Sequence, residues 1–444
     1  MGIRKHSRCQ FLMIVAFIFV LSSFSSLSHA VENNTDIADT YIPKLEKMLS
    51  ENIVSFWLTK SPDKVNGGYT INFDSKGELK SGGTKMIVTQ ARMLWFFSHL
   101  SRTGHGGQEC LEVADLGYKF LTEKMWDHEN GGFFWEVDVT GDKKLQPNKH
   151  LYGQAFALYG ISEYYLASNK PEALDFATKL FNLIDTKARD NEYGGYLESF
   201  DTAWKPLTPN ISSYMGPPAG LKLMNTHLHL LEAFTSFYRA SKLPLARQRL
   251  MELILIQSNT VVRKPLGACT DKYNRDWTPR LEAEYARISY GHDIENVWLL
   301  MDACEAAGLY NRPLLDFYKT LYNYSLKYGY DETNGGFFDS GPFNKPADRR
   351  TKIWWTQAEA LISSLHMYSM TSDPKYLSVF KDTYDFVDKH IADWDNGEWH
   401  GGVTAEGTVI SGDKGNTWKC GYHNGRAMTE CIEILRHLKE NKKM

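Results

Sequence analysis

An all-α protein, an (α/α)6 barrel of about twelve helices with short β-hairpin loops at one mouth, is predicted by three observations. Gly-Gly beside an aromatic residue recurs along the chain: Gly67-Gly68-Tyr69, Gly131-Gly132-Phe133, Gly194-Gly195-Tyr196, Gly335-Gly336-Phe337 and Trp399-His400-Gly401-Gly402. The first three pairs lie 64 and 63 residues apart, the next gap is 141 and the last is 66, so a degenerate sixth copy belongs near Leu266 to Trp277. After each marker comes a segment with apolar period near 3.6, and between these run second helical segments. A helical hairpin repeated at such spacing buries its apolar face only against its neighbours, and closing six of them into a ring removes the exposed ends. An open α-solenoid is the alternative; it needs polar capping repeats, and none is visible.

The elements follow in chain order. Residues 1–30 read as an export signal. Arg4, Lys5 and Arg8 precede an unbroken apolar run from Phe11 to Leu21, and Ser28-His29-Ala30 supplies small residues for cleavage after Ala30. That run is shorter than the roughly 20 residues a spanning helix needs. Residues 31–444 contain no Pro- or Ser-rich linker and read as one catalytic domain, exported to a periplasm or secreted. The inner segments are Gln90 to Leu100, Gly153 to Ser168, Asn225 to Ser241, His292 to Gly308, Thr356 to Met370 and His423 to Leu438. In the second, Ala157, Leu158, Ile161, Tyr164 and Tyr165 fall on one stripe. The outer segments are Leu111 to Lys124, Glu172 to Leu183, Leu245 to Gln257, Leu314 to Tyr328 and Tyr376 to Ile391. Alternating stretches such as Gly132-Phe-Phe-Trp-Glu-Val-Asp-Val139 supply the hairpins.

Composition limits the function. A net charge of −3 from 50 basic and 53 acidic side chains gives no field for nucleic acid or an anionic membrane surface. Cleavage would leave Cys110, Cys269, Cys304, Cys420 and Cys431, an odd and scattered set that reads as buried thiols with at most one bridge. Neither His-Glu-x-x-His, Cys-x-x-Cys nor EF-hand spacing occurs, and no Gly-x-Gly-x-x-Gly or Walker loop is present, so neither a metal nor a nucleotide cofactor is expected. A zinc ion held by histidines from three separate helices is the alternative that spacing leaves open. With 12 Trp and 24 Tyr the chain has many amphipathic plates of the kind sugar faces stack on.

Chemistry concentrates where inner helices begin. In Asn225-Thr-His-Leu-His229 the two imidazoles point to nearly opposite sides of a helix, so only one can face a pocket, whereas Asn225 and His229 share a face. In His292-Asp-Ile-Glu295 the spacing of three puts the carboxylate within reach of the imidazole, where it would fix the tautomer and raise basicity. A helix cap with an incidental ion pair is the bland account of the same residues. His423 follows Trp418 by five residues, and Trp354-Trp355 precedes Gln357, so imidazole and aromatic plates coincide at helix starts. Arg92 interrupts an apolar helix and must find an anion, such as a developing oxyanion.

Lys85-Met-Ile-Val-Thr-Gln-Ala-Arg92, Lys149-His-Leu-Tyr152-Gly-Gln-Ala, Met224-Asn-Thr-His-Leu-His229, Ser289-Tyr-Gly-His-Asp-Ile-Glu295, Lys352-Ile-Trp-Trp-Thr-Gln-Ala and Tyr422-His-Asn-Gly-Arg-Ala427 resemble, in this order, the cellobiose 2-epimerases of the N-acylglucosamine 2-epimerase superfamily. The resemblance implies inversion at C2 of the reducing-end sugar of a β-1,4-linked disaccharide, cellobiose or mannobiose, without metal or nucleotide. It implies His292 and His423 as the acid/base pair, Glu295 as partner of His292, His229 and Arg92 holding the reacting oxygens, and Tyr152, Asn225, Trp355 and Trp418 lining the sugar site. Within the superfamily an N-acylglucosamine 2-epimerase or an aldose–ketose isomerase is the alternative; further off stand a glycoside hydrolase and a non-catalytic sugar-binding protein. A disaccharide is the expected partner, with a monomeric chain and no nucleic acid or membrane once the signal is cleaved.

Overall fold

The inner and outer segments become helices of different character. In the structure, a computed structural model that describes residues 33–209 and 211–440, helices α1 to α12 are 34–60, Ile87–Thr103, 108–125, Leu151–Ser168, Pro171–Lys187, Met224–Ser241, 244–260, Tyr290–Ala306, Leu315–Gly329, Trp354–Thr371, 374–391 and Tyr422–Glu440. The expected signal segment 1–30 lies outside the described residues. Even-numbered helices form an inner ring and odd-numbered ones an outer ring. Outer α5 buries a single stripe, Ala173, Ala177, Leu180, Phe181 and Ile184, and each large aliphatic side chain there contributes about 1.5–3 kcal/mol. Inner α4 is buried on every side from Leu151 to Tyr164, so the one-stripe reading of this segment gives way to a helix with no exposed face over that length.

Turns from inner to outer helix are written alike three times. Asn169, Lys242 and Ser372 end α4, α6 and α10 in the left-handed conformation, and two residues later Pro171, Pro244 and Pro374 open α5, α7 and α11. The left-handed residue stops the helix, and proline fits the first turn of the next because no amide partner is lost there. Four outer helices, α1, α3, α7 and α11, contain a π-type turn, which in the last three forms the final turn before the chain enters a hairpin.

The ring closes through an outer helix with no marker in the sequence. Residues 34–60 pack on the last inner helix, with Arg436 paired to Glu46 at 2.9 Å and Lys439 paired to Asp39. His99 Nε2 of α2 lies 3.1 Å from Thr429 Oγ1 of α12, which joins the first inner helix to the last and rules out the open solenoid. All five cysteines outside the signal segment are buried and unbridged.

Six hairpins sit at the mouth formed by the N-terminal ends of the inner helices. Their bridging pairs are Pro62 with Tyr69, Trp126 with Phe133, Arg189 with Tyr196, Val262 with Cys269, Tyr330 with Phe337 and Ala392 with Trp399. The copy in the long gap is therefore the hairpin Val262–Cys269, slightly upstream of its expected place. Each of three loops is clamped by a glutamine of the following inner helix: Gln90, Gln154 and Gln357 bond both the N–H and the carbonyl of Tyr69, Phe133 and Phe337. The Gln-Ala pairs near the starts of these helices, Gln90-Ala91, Gln154-Ala155 and Gln357-Ala358, supply this clamp. It also explains the second glycine of the marker, since Gly68 has φ +68° and a Cβ there would stand 2.6 Å from Gln90 Oε1. Buried lysine–aspartate pairs fix five of the loops: Lys85–Asp63, Lys149–Asp127, Lys222–Asp190, Lys352–Asp331 and Lys414–Asp393, at 2.6 to 3.0 Å. Such pairs add little net stability but strongly penalise any register that leaves one charge unpaired.

Candidate active site

Because every inner helix starts at the same mouth, its first two turns face one central cavity of about 280 Å³. Arg92, Tyr152, Asn225, His229, His292, Glu295, Trp355, Trp418 and His423 all line it; these are the nine site residues expected from the sequence. Trp354 joins them, as does Met215, contributed by the long loop before α6. Met215 was illegible in the sequence because that loop carries no periodic signal. The indole of Trp355 lies beside two imidazoles, with ring centroids 4.7 Å from His292 and 5.9 Å from His423. His227, two residues before His229, does not reach the cavity: its Nε2 accepts the Tyr196 N–H at 3.0 Å and its Nδ1 lies 2.8 Å from the Leu223 carbonyl, so it replaces glutamine as the loop clamp.

A family model described as N-acylglucosamine 2-epimerase (GlcNAc 2-epimerase) matches residues 67–427. The chain belongs to this family. It is 33% identical over 397 residues to a cellobiose 2-epimerase of Dictyoglomus turgidum, covering 88% of this chain and 97% of that protein. It is 34% identical over 400 residues to one of Ruminococcus albus, covering 89% and 98%. The solved cellobiose 2-epimerase from Bacillus thermoamylovorans B4167 superposes with a TM-score of 0.82 at 31% identity, covering 89% of this chain and 99% of that one.

One expected contact of this epimerase-family site is corrected. Glu295 does not hydrogen-bond His292; its Oε1 accepts from Arg426 Nη2 at 3.1 Å, while Oε2 has no partner. Three residues along the helix, the carboxylate has dropped to the floor of the cavity, while the imidazole stays near the mouth against Trp355. The imidazole–carboxylate pairs are elsewhere. His229 Nδ1 lies 2.9 Å from Glu232 Oε2, and His423 Nδ1 lies 2.6 Å from Glu359 Oε1. Glu232 stood at the same spacing of three and was readable by the rule applied to His292. Glu359 reaches across from α10 to α12, a contact that only the fold creates.

Arg426 ties this floor together. Its Nη2 bonds Glu295 and, at 2.8 Å, Glu359, and its Nη1 bonds Glu232 and the Tyr422 hydroxyl. One guanidinium thus faces three buried carboxylates, and the charges divide unequally. Burial raises Glu232, but Arg426 and His229 outweigh it and hold the group at about 2. Burial and then the charge of Glu359 hold Glu295 well above the usual carboxylate range, and burial, partly offset by Arg426, raises Glu359. Glu295, Glu359 and His423 bring ligand atoms within 4.8 Å of one another, a metal-like spacing. Arg426 already provides the cation for both of those carboxylates.

The imidazoles are held as bases. Burial lowers His292 to about 4 and His423 well below the usual value, and it lowers His229 despite the neighbouring Glu232 charge. With Nδ1–H of His229 and His423 donated to carboxylates, Nε2 carries the lone pair. Arg92 differs from Arg426 in having no carboxylate partner. Its Nη2 donates to the Tyr152 hydroxyl and its Nη1 to the Trp418 carbonyl, both at 3.1 Å, while Nε has no partner. It lies 4.2 Å over the Phe156 ring. A buried guanidinium paired only with neutral groups retains its attraction for an anion formed beside it.

Proposed function

We propose that the protein is a carbohydrate 2-epimerase that inverts C2 of the reducing-end sugar of β-1,4-linked disaccharides, turning cellobiose into glucosyl-mannose or mannobiose into mannosyl-glucose. The observation that carries this reading is the pair of imidazoles, His292 and His423, that line one cavity and both lie beside Trp355. Relatives named cellobiose 2-epimerase across nearly the whole chain support the disaccharide.

The C2–H of a pyranose is not acidic, so the ring opens first. One imidazole takes the O1 proton while Glu295, held toward its protonated form, gives its proton to the ring oxygen as the C1–O5 bond breaks. The aldehyde makes C2–H acidic, and the second imidazole removes it. Negative charge spreads over the resulting enediolate, where Arg92 stabilises it and His229 and the Tyr152 hydroxyl hold the oxygens. The first imidazole returns its proton to the opposite face of C2. On closure the second imidazole reprotonates O1 and the O5 proton returns to Glu295, so every group ends as it began. Each positioned proton transfer contributes about 10²–10⁴ in rate. Trp355 and Trp418 give the sugar rings flat faces to stack on, and Asn225 offers a side-chain carbonyl with no partner among the described residues. Return of the proton to C1 would give a ketose, so slow isomerisation accompanies epimerisation. Hydrolysis is less well served, because Glu295 and Glu359 both answer to Arg426 rather than flanking a glycosidic bond.

Incubation with cellobiose in D2O tests the reading. One deuterium at C2 of glucosyl-mannose is expected, since the returning proton originates on exchangeable O1. Free glucose would indicate a hydrolase, and binding without conversion a sugar-binding module. Export rests on residues 1–30, whose basic, apolar and small-residue regions read as a cleaved signal. Amino-terminal sequencing of protein from the envelope or medium should begin at Val31, and a chain retained in the cytosol beginning at Met1 refutes it.

A further inference from the structure

Behind the catalytic floor the barrel holds a second, larger cavity of about 530 Å³. Every inner helix contributes to it: Trp95 from α2, Glu163 from α4, Arg239 from α6, Asp302 from α8, His366 from α10 and Glu430 from α12. Since the inner helices run parallel from the mouth, their carboxyl ends gather here. Each brings the partial negative charge of a helix terminus.

Most ionised side chains in this cavity are already matched. Glu163 is 2.6 Å from Arg102 Nε, and Asp302 is 2.6 Å from Arg239 Nη2. Glu305 and Glu430 are not matched. Among the described residues no lysine or arginine lies within 4.0 Å of either; the nearest basic group to Glu430 is His99 Nε2 at 3.9 Å. Glu430 keeps about 33% of its side chain accessible, and partial burial raises it above the usual carboxylate range. A neutral donor is also left over. Trp95 is 3% exposed and its indole N–H has no hydrogen-bond partner. Tyr159 and Trp298 add aromatic wall, which suits a cation. An anion would face the helix carboxyl ends and Glu430, and a metal ion would lack ligands, because no cluster of three ligating groups forms here among the described residues.

We propose that the rear cavity binds a small protonated amine that also carries hydroxyl groups, its ammonium against Glu430 and a hydroxyl oxygen accepting the Trp95 N–H. Two probes of the same shape test this: tris(hydroxymethyl)aminomethane, and pentaerythritol, in which a hydroxymethyl group replaces the ammonium. Calorimetric titration of the native protein at neutral pH, with saturating cellobiose in the front pocket, should show saturable binding of the amine and affinity at least about tenfold weaker for the neutral probe. Glu430→Gln should weaken the amine by about tenfold while epimerisation is unchanged, and Trp95→Phe should weaken both probes. Equal affinity for the two probes, binding indifferent to Glu430→Gln, or no saturable binding under cellobiose would each overturn the proposal. If Glu430→Gln fails to fold, the comparison of probes on the native protein still decides it. A protein inactive on cellobiose would sink the epimerase reading and leave the probe titrations of the rear cavity interpretable.

Discussion

Glu359 is where the geometry makes its sharpest functional demand. Glu359→Gln keeps the shape and retains an oxygen for the Trp298 indole N–H, which now donates to Oε2 at 2.8 Å. It removes the negative charge that meets His423 Nδ1 at 2.6 Å and Arg426 Nη2 at 2.8 Å. In the proposed reaction His423 takes up a proton and becomes an imidazolium, and in the variant it faces a neutral amide. A charge-assisted hydrogen bond is worth about 1.5–3 kcal/mol, so kcat should fall by about 10- to 160-fold. Glu359 does not line the sugar cavity, so KM should move by less than about threefold. Initial rates of glucosyl-mannose formation from cellobiose measure both constants. A kcat within about twofold of the parent, or a loss carried by KM, would refute the view that this carboxylate works through His423.

His229→Ala should lower kcat/KM, whereas His227→Ala, two residues earlier and outside the cavity, should act chiefly on the melting temperature because it frees the Tyr196 N–H. Gln154→Ala strands two buried backbone groups at about 1–3 kcal/mol each, which for a chain of this size should lower the melting point by about 2–7 °C in calorimetry. Because His292 sits at about 4 in the folded protein and must be unprotonated to accept a proton, the acid limb of kcat/KM should fall well below the ordinary imidazole value; a limb near that value refutes the burial argument. His150 and His227, both lowered to about 3 by burial, are neutral when folded and protonate more readily when unfolded, so their contribution to stability is complete above the ordinary imidazole value of about 6.5 and is lost as pH falls from there toward about 3, as denaturant midpoints measured across that window should show.

What the sequence revealed follows from where the signals lie. Glycine pairs and helix starts are local patterns, so six units and the residues just inside each inner helix could be read directly, and all nine expected residues share the cavity. The outer helix 34–60 went unnamed because no glycine-aromatic loop precedes it. His292 with Glu295 is a spacing argument that failed: position on one helical face permits a contact, but a guanidinium from another helix claimed the carboxylate. Glu359 with His423 joins helices two apart in the chain and adjacent in space. The same holds for Arg426, which was visible in Tyr422-His-Asn-Gly-Arg426 but acquired its importance only when three glutamates from three other helices converged on it. The repeated Gln-Ala pairs are visible in the sequence but their clamping role is not, since their partners lie about twenty residues upstream.

The clamps also separate change at the rim from chemistry at the centre. Gln90, Gln154, His227 and Gln357 each hold a loop by its backbone, through bonds indifferent to the side chains farther out along that loop. Loop tips can therefore be lengthened, shortened or exchanged while the imidazoles lining the cavity keep their positions, so the rim and the pocket can vary independently of one another.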